Sequence, residues 1–208
     1  MANRHPISGI YLVTDRALCG QRPLLEVVAA AVRGGVSIVQ LREKGLATRP
    51  FVEAARALKE LLAPHNIPLI INDRIDVALA VNADGVHIGQ ADMPYPIARR
   101  LMGPGAMIGL SVETLAEVEE AERYDVDYLG VSPIFETPTK VDTKGSWGLD
   151  GLAAVRAKSR YPLVGIGGIN AANIAAVMAA GADSAAVVSA ICAAPDPEQA
   201  ARHLISNI

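Results

Sequence analysis

Short apolar runs alternate with longer segments rich in Ala and Leu from one end of the chain to the other. Each short run is rich in β-branched residues and has the length of a strand that is buried on both faces. We therefore expect eight parallel strands, at residues 10–14, 38–42, 69–72, 85–89, 107–111, 128–132, 163–167 and 185–189.

The longer segments carry helix patterns with recognisable ends. An apolar stripe over residues 24–32 predicts the first helix, and two glycines follow it. We expect Thr48 to cap the second helix, and Thr114 has capping-box spacing to Glu117. Asp196 followed by Pro197 predicts the start of the last helix.

Eight strand–helix alternations predict a single (β/α)8 TIM barrel, and no composition shift divides residues 1–208 into domains. An open flavodoxin-like sheet is the alternative, because strand counts made from a sequence are uncertain by one or two. The one irregular connection, residues 134–148, is rich in Pro, Thr, Lys and Gly. A connection of this length in a barrel is typical of a functional or mobile loop.

Composition narrows the class of protein. The formal net charge of −3 gives no basic surface of the kind that binds nucleic acid. Two cysteines are too few for the disulfide framework of a small secreted domain. Residues 1–6 lack an apolar signal region, and polar residues interrupt the apolar stretch 169–194. We expect a cytoplasmic protein without nucleic-acid or membrane partners, and the sequence leaves the oligomeric state open.

Polar, charged and glycine residues lie at the ends of the predicted strands. In a (β/α)8 barrel the active site forms at the C-terminal ends of the strands. At or just beyond those ends, or in the long connection, lie Gln40, Arg42, Lys44, Asn72, Asp73, Asp92, Ser111, Thr137, Thr139, Lys140, Gly167, Gly168 and Ser189. Nearly all of them suit an anion or a divalent metal, although any polar loop rim would share some of this character.

The segment 40–44 predicts a cationic strand end. Strand alternation places Gln40, Arg42 and Lys44 on one face and Leu41 and Glu43 on the other. Three donors in a row, two of them cationic, suit a diphosphate. The alternative is a solvated strand end with an Arg–Glu ion pair.

Two aspartates follow neighbouring predicted strands. Asp73 and Asp92 could together hold one Mg2+, which takes its other ligands from phosphate oxygens and water. Alternatively, each is only a helix N-cap. For His87, near a strand end, we favour a hydrogen-bonded interior histidine over a catalytic one.

A second anion site is predicted on the opposite part of the rim. Residues 165–169 are glycine-rich, and Ser189 ends the next strand. The loops after strands seven and eight are the recurrent phosphate site of this fold, although glycines also serve tight turns alone. In the long connection, residues 137–140 and Trp147 either close over bound phosphate or form a polar insertion, and composition does not decide between these.

Taken in order, these motifs resemble the thiamine phosphate synthase family over nearly the whole chain. The matching segments are Gln40–Lys44, Ile71–Asp73, Asp84–Gln90 with Asp92, Ser111, Thr137–Lys140, Gly167–Ile169 and Val188–Ser189. Each motif alone is weak, whereas their order and placement together are specific.

The resemblance implies that a hydroxymethylpyrimidine diphosphate is joined to a (carboxy)thiazole phosphate, with release of pyrophosphate. It implies a dissociative reaction through a pyrimidine carbocation, with Mg2+ as cofactor and no obligatory general base. The pyrimidine diphosphate would be held by Gln40, Arg42, Lys44, Asn72, Ser111 and Lys140, with Leu41 and Glu43 in the same segment. Of these, the catalytic group would comprise Arg42, Lys44, Ser111 and Lys140. The metal ligands would be Asp73 and Asp92, and the thiazole phosphate would be bound by Thr137, Pro138, Thr139, Gly168, Val188 and Ser189.

One departure from the family pattern lies after Ser111. Many relatives carry Ala-His there, whereas this chain carries Val112 and Glu113. The difference weakens any acid–base role at that place, and it counts against a thiazole tautomerase-like paralogue, in which a histidine is expected. Another phosphate-binding barrel enzyme, or a non-catalytic phosphate sensor, would explain the glycine-rich site but not the whole set.

Overall fold

Eight parallel strands close into a barrel in which the first strand pairs with the last. The computed structural model describes residues 5–136 and 145–208. Within these ranges the strands are β1 (Gly9–Val13), β2 (Ile38–Leu41), β3 (Leu69–Asn72), β4 (Gly85–Ile88), β5 (Met107–Val112), β6 (Tyr128–Val131), β7 (Leu163–Ile166) and β8 (Ser184–Val187). The predicted (β/α)8 barrel is confirmed, and the open-sheet alternative is wrong because β1 pairs with β8.

A helix follows each strand. The helices in the described ranges are α1 (Leu24–Arg33), α2 (Thr48–Leu62), α3 (Ile75–Val81), α4 (Tyr95–Met102), α5 (Leu115–Ala121), α6 (Gly148–Lys158), α7 (Ile174–Ala179), α8 (Ser189–Cys192) and α9 (Pro197–Ile205). A 3-10 turn, Ala63–His65, extends α2. None of these helices has both the length and the apolar character that a bilayer crossing requires.

Two of the three predicted helix caps are confirmed. Asp196 accepts hydrogen bonds from the first turn of α9, and Thr114 accepts one from the N–H of Glu117 at the start of α5. The prediction for Thr48 is wrong, because the carbonyl of Ala47 already accepts the N–H of Phe51 and makes Ala47 the N-cap. Thr48 therefore lies in the first turn of α2.

Apolar side chains form two layers, one inside the barrel and one between the strands and the helices. The interior layer is small because alternate strand residues point into a narrow space, and it consists of Tyr11, Val13, Ile38, Ile70, Met107, Tyr128, Val164 and Ala186. The outer layer is far larger and includes the apolar stripe of α1. The interior layer forms the floor beneath the C-terminal rim.

Three aspartates brace the opposite, N-terminal end of the barrel in the same way. Each directly precedes an even-numbered strand, accepts a backbone N–H from the first two residues of the strand before it, and pairs with a cation from a helix. Asp84 accepts the N–H of Leu69 and pairs with Lys59. Asp127 accepts the N–H of Ile108 and pairs with Arg99. Asp183 accepts the N–H of Leu163 and pairs with Arg156. Since these contacts lie at the end away from the predicted site, they serve the fold.

Candidate active site

The C-terminal rim surrounds a cavity of about 280 Å³. Eleven of the residues predicted from the sequence line it, and they come from β2, β3, β4, β5, β7, β8 and the loops that follow them. These eleven are Gln40, Arg42, Lys44, Asn72, Asp73, Asp92, Ser111, Gly167, Gly168, Val188 and Ser189. Strand ends that lie far apart in the chain thus meet at one place.

The cationic side of the cavity lies at the end of β2. The backbone N–H of Arg42 donates to Oγ1 of Thr14, and its guanidinium lies 3.6 Å from a carboxylate oxygen of Asp15. The ammonium of Lys44 lies 3.0 Å from Oδ2 of Asp73. In the part of the chain that the structure describes, Arg42 and Lys44 are the lysine or arginine side chains that line the cavity. An anion entering the cavity therefore meets both cations on one side.

Arg42 does not form the ion pair with a glutamate that the alternative interpretation of this segment predicted. Among the described residues, the carboxylate within ion-pair distance of its guanidinium is that of Asp15. Glu43 points away from the cavity and pairs with Arg16, at 2.7 Å. Leu41 is fully buried in the outer apolar layer. Neither Leu41 nor Glu43 lines the cavity, so any contact of these two residues with a substrate would involve the backbone.

Asp73 and Asp92 form an acidic pair beside Lys44. Oδ2 of Asp92 accepts the N–H of Gly89 at 2.7 Å, and Asp73 holds a left-handed backbone, with φ of 61°. Burial raises the pKa of Asp92 above its ordinary value, and the hydrogen-bonded contact with the Asp73 carboxyl raises it further. Two carboxylates in contact, with one ammonium beside them, are a favourable place for an added cation.

The N-cap alternative is wrong for both aspartates. Arg74 occupies the N-cap position of α3, and Pro94 occupies that of α4, each without a side-chain cap. In the described residues no group of three or more His, Cys, Asp or Glu side chains is arranged to hold a metal. Two carboxylates are the kind of protein ligand that Mg2+ takes in phosphate sites, where phosphate and water supply the remaining ligands.

The glycine-rich side of the cavity lies across the barrel, after β7 and β8. Gly167 and Gly168 have φ of 107° and 65°, which side-chain-bearing residues rarely adopt. A Cβ at Gly168 would lie 2.8 Å from Cβ of Phe135, so the loops after β6 and β7 pack closely there. Gly168, Val188 and Ser189 line this side of the cavity. This is the part of the fold that recurrently binds phosphate.

His87 links the floor of the cavity to Ser111. Its Nε2 lies 2.8 Å from Oγ of Ser111, and its Nδ1 lies 3.1 Å from the hydroxyl of Tyr128. The expectation of a hydrogen-bonded interior histidine is confirmed. The sequence interpretation missed Tyr11 and Tyr128, which line the same floor. A tyrosine within an otherwise aliphatic strand is the signal that was available, since a buried hydroxyl needs a partner.

The predicted closing loop is partly outside the described residues, since Thr137, Pro138, Thr139 and Lys140 all lie there. Its first end is bonded to β7, and its second end is bonded to the residues where the connection begins. The N–H of Ile134 donates to the carbonyl of Ile166, and the N–H of Trp147 donates to the carbonyl of Pro133. The Trp147 indole lies at the end of β5, 3.4 Å from the carbonyl of Val112, and it is not among the described residues that line the cavity. Glu113 does not line it either, and its N–H donates to Glu117.

The chain is similar to known proteins over most of its length. A protein-family model described as thiamine monophosphate synthase matches residues 10–191. Thiamine-phosphate synthase of Albidiferax ferrireducens is 63% identical over 155 residues, which cover 74% of this chain and 71% of the relative. Thiamine-phosphate synthase of Solidesulfovibrio magneticus is 56% identical over 195 residues, which cover 94% of this chain and 92% of the relative.

A solved structure agrees with these relatives. Thiamine phosphate pyrophosphorylase from Pyrococcus furiosus superposes with a TM-score of 0.87 at 38% identity, covering 96% of this chain and 94% of that one. These similarities support thiamine-phosphate synthase activity, a transferase reaction of thiamine biosynthesis. The chain belongs to the thiamine monophosphate synthase family.

Proposed function

We propose that this chain joins a hydroxymethylpyrimidine diphosphate to a (carboxy)thiazole phosphate, forming thiamine phosphate and releasing pyrophosphate. The observation that carries the proposal is the division of one cavity into two unlike halves. Arg42, Lys44 and the acidic pair lie on one side, and Gly168 and Ser189 lie on the other. Two phosphorylated ligands bound in these halves would have their organic parts facing each other above the barrel floor.

The cationic half suits the leaving group. When the bond between the pyrimidine methylene carbon and the diphosphate oxygen breaks, negative charge develops on the departing pyrophosphate. Arg42 and Lys44 lie where they would stabilise that charge, with Ser111 as a further donor and Lys140 as a predicted fourth. Breaking this bond first leaves a pyrimidine carbocation, which the thiazole nitrogen then captures.

The acidic pair suits a divalent ion on the same diphosphate. Asp73 and Asp92 would hold Mg2+, which when bound would supply positive charge to the phosphate oxygens. Lys44 already contacts Asp73, so the ammonium and the metal position are adjacent. The residues on this side therefore act together on one group, the diphosphate.

The scheme requires no general base, because the attacking thiazole nitrogen carries a lone pair. It does require that water be excluded, since water would also capture the carbocation. Ile134 is bonded to β7 and Trp147 to Pro133, so the connection begins and ends beside Ser132, which lines the cavity, as suits a segment that covers it. We include Thr137, Pro138 and Thr139 of this connection in the proposed phosphate contacts.

A thiazole tautomerase-like reaction is the alternative within the family. It would use one phosphorylated ligand and an acid–base group, and it has no need of a diphosphate clamp. The carboxylate pair beside Lys44 and the position of Glu113 outside the cavity favour the synthase reaction.

The test is a product assay with purified protein, both substrates and Mg2+, separating thiamine phosphate by chromatography. The proposal predicts product only when both substrates are present, and loss of product when a chelator removes Mg2+. Folded protein that forms no thiamine phosphate would contradict it. Conversion of the thiazole phosphate alone, without the pyrimidine substrate, would favour the tautomerase alternative.

A further inference from the structure

A continuous line of hydrogen bonds crosses the floor of the cavity from β2 to β5. Nε2 of Gln40 donates to the hydroxyl of Tyr11 at 2.8 Å, and that hydroxyl lies 2.8 Å from the hydroxyl of Tyr128. The Tyr128 hydroxyl lies 3.1 Å from Nδ1 of His87, and Nε2 of His87 lies 2.8 Å from Oγ of Ser111. Five side chains from five strands thus connect two predicted ligands of the diphosphate, one at each end.

Glycines on β5 and β6 leave room for the two aromatic rings in this line of hydrogen bonds. A Cβ at Gly109 would lie 2.1 Å from the Tyr128 ring, and a Cβ at Gly130 would lie 2.8 Å from the His87 ring. The two rings stack, with centroids 5.5 Å apart. Glycine at both positions is therefore required by the rings of the line, and no turn or positive φ accounts for it.

Each side chain in the line donates to the next, from Gln40 towards Ser111. This order follows from the hydrogens of the two tyrosine hydroxyls. Tyr11 and Tyr128 are fully buried, and burial raises the pKa of each, so both keep their hydrogens. Among the described residues, the side-chain partners of the Tyr11 hydroxyl are Gln40 and Tyr128. The Gln40 nitrogen can only donate, so Tyr11 must donate to Tyr128 if its buried hydrogen is to be satisfied.

The same argument continues to Ser111. Tyr128 accepts from Tyr11, so its own hydrogen goes to Nδ1 of His87. A neutral histidine that accepts at Nδ1 carries its proton on Nε2, which donates to Oγ of Ser111. The Ser111 hydroxyl is then unable to donate back to His87, which leaves its hydrogen for an acceptor in the cavity that Ser111 lines.

We propose that Tyr11, Tyr128 and His87 are positioning residues that fix the His87 proton on Nε2 and make Ser111 a hydrogen-bond donor to the anion in the cavity. This inference rests on the proposed function for the identity of the anion, the diphosphate. The line then adds one oriented donor to the charge of Arg42 and Lys44. Gln40 acts at the far end of the line, through its bond to Tyr11.

The tautomer is tested by nitrogen NMR of histidine-labelled, ligand-free protein at neutral pH. Long-range proton–nitrogen correlations distinguish the Nε2–H tautomer from the Nδ1–H tautomer and from the imidazolium. The His87→Gln variant assigns the His87 signals by their loss. The proposal predicts the Nε2–H tautomer, and a dominant Nδ1–H or imidazolium form would overturn it.

The link to Ser111 is tested by a double-mutant cycle, with inorganic pyrophosphate and Mg2+ as the probe in calorimetry. Ser111→Ala removes a hydrogen bond to a charged group and should weaken binding on the order of tenfold. Tyr128→Phe should weaken binding in the wild-type background and have no effect in the Ser111→Ala background. The same factor in both backgrounds would overturn the link.

Matched controls separate this inference from the proposed function. Tyr124→Phe removes a hydroxyl that bonds to exposed Glu120, so it should leave pyrophosphate affinity unchanged. The wild-type spectrum decides the tautomer whether or not the Tyr128→Phe variant folds. If the protein made no thiamine phosphate but showed the Nε2–H tautomer and the coupling, the proposed function would fail and the positioning line would stand.

Discussion

The ammonium of Lys44 lies 3.0 Å from Oδ2 of Asp73, which joins a predicted diphosphate ligand to a predicted metal ligand. The Lys44 side chain is 64% exposed, and an ion pair so open to solvent contributes at most about 1 kcal/mol. The contact is therefore weak enough to be exchanged when a diphosphate and a cation enter together. Lys44 and Asp73 act on the same ligand in the proposed reaction.

Asp73→Asn should lower the rate on the order of a hundredfold or more, because charge stabilisation by a metal is worth several kcal/mol. Its thermal midpoint should change little, since the Lys44 pair is exposed. Initial rates measured against Mg2+ concentration check this, with Asp76→Asn as the control because Asp76 pairs with Arg74 outside the cavity. A variant with wild-type turnover and unchanged Mg2+ dependence would remove Asp73 from the metal site.

Asp92→Asn should raise the thermal midpoint at neutral pH when Mg2+ is absent. Burial and Asp73 raise the pKa of Asp92, so the folded protein binds this proton more tightly than the unfolded chain does. Ionised Asp92 therefore costs stability, and the cost grows as pH rises from the ordinary carboxyl value through the raised one. The advantage of the variant should shrink as pH falls towards the ordinary value.

Asp76→Asn is the matched control of opposite sign. A hydrogen bond from Arg74 lowers the pKa of Asp76, so its ionised form stabilises the fold and the substitution should slightly lower the midpoint at neutral pH. Thermal melts of both variants across pH, with and without Mg2+, make the comparison. A lower midpoint for metal-free Asp92→Asn at neutral pH would show that ionised Asp92 is not destabilising.

Lys140→Ala should lower kcat at saturating substrate, by about a hundredfold, because Lys140 is proposed to stabilise charge that develops only in the transition state. Lys158→Ala, which removes an exposed lysine paired with Glu119, is the control and should leave kcat unchanged. Steady-state rates over both substrate concentrations check the prediction. An increase in KM without a change in kcat would instead assign Lys140 to ground-state binding.

Asp127→Ala should destabilise the fold by about 3 kcal/mol without changing KM. Its side chain is only 4% exposed, and the substitution leaves Arg99 and the N–H of Ile108 without this acceptor. Asp183→Ala, at the equivalent place under β8, removes a side chain that is 45% exposed and should cost about 1 kcal/mol or less. Denaturant unfolding of both variants measures the difference, and equal losses would show that burial does not set the strength of these contacts.

The sequence predicts those parts of the site that depend on local pattern. Arg42, Asp73 and Gly168 lie just beyond an apolar run, so a strand prediction is enough to place them at the same end of the barrel. The barrel itself follows from eight repeats of one alternation. The closure of β1 on β8 could not be read from the pattern alone, because an open sheet has the same alternation.

Contacts between distant strands were beyond prediction. Tyr11 and Tyr128 are 117 residues apart, and their hydroxyls meet only because the barrel brings β1 and β6 across from each other. The orientation of Asp73 depends on a left-handed backbone that no local motif signals. The start of α2 was misplaced by one residue because Thr48 is a good capping residue but Ala47 supplies the N-cap carbonyl.

Phosphorus NMR of the complete reaction tests most directly whether one cavity joins the two substrates. Purified protein, Mg2+, the pyrimidine diphosphate and the thiazole phosphate are followed in one tube, with each substrate omitted in turn. The proposed function predicts that pyrophosphate and thiamine phosphate appear in equal amounts, and only when both substrates are present. Pyrophosphate without thiamine phosphate, or no change in either substrate with folded protein, would contradict it.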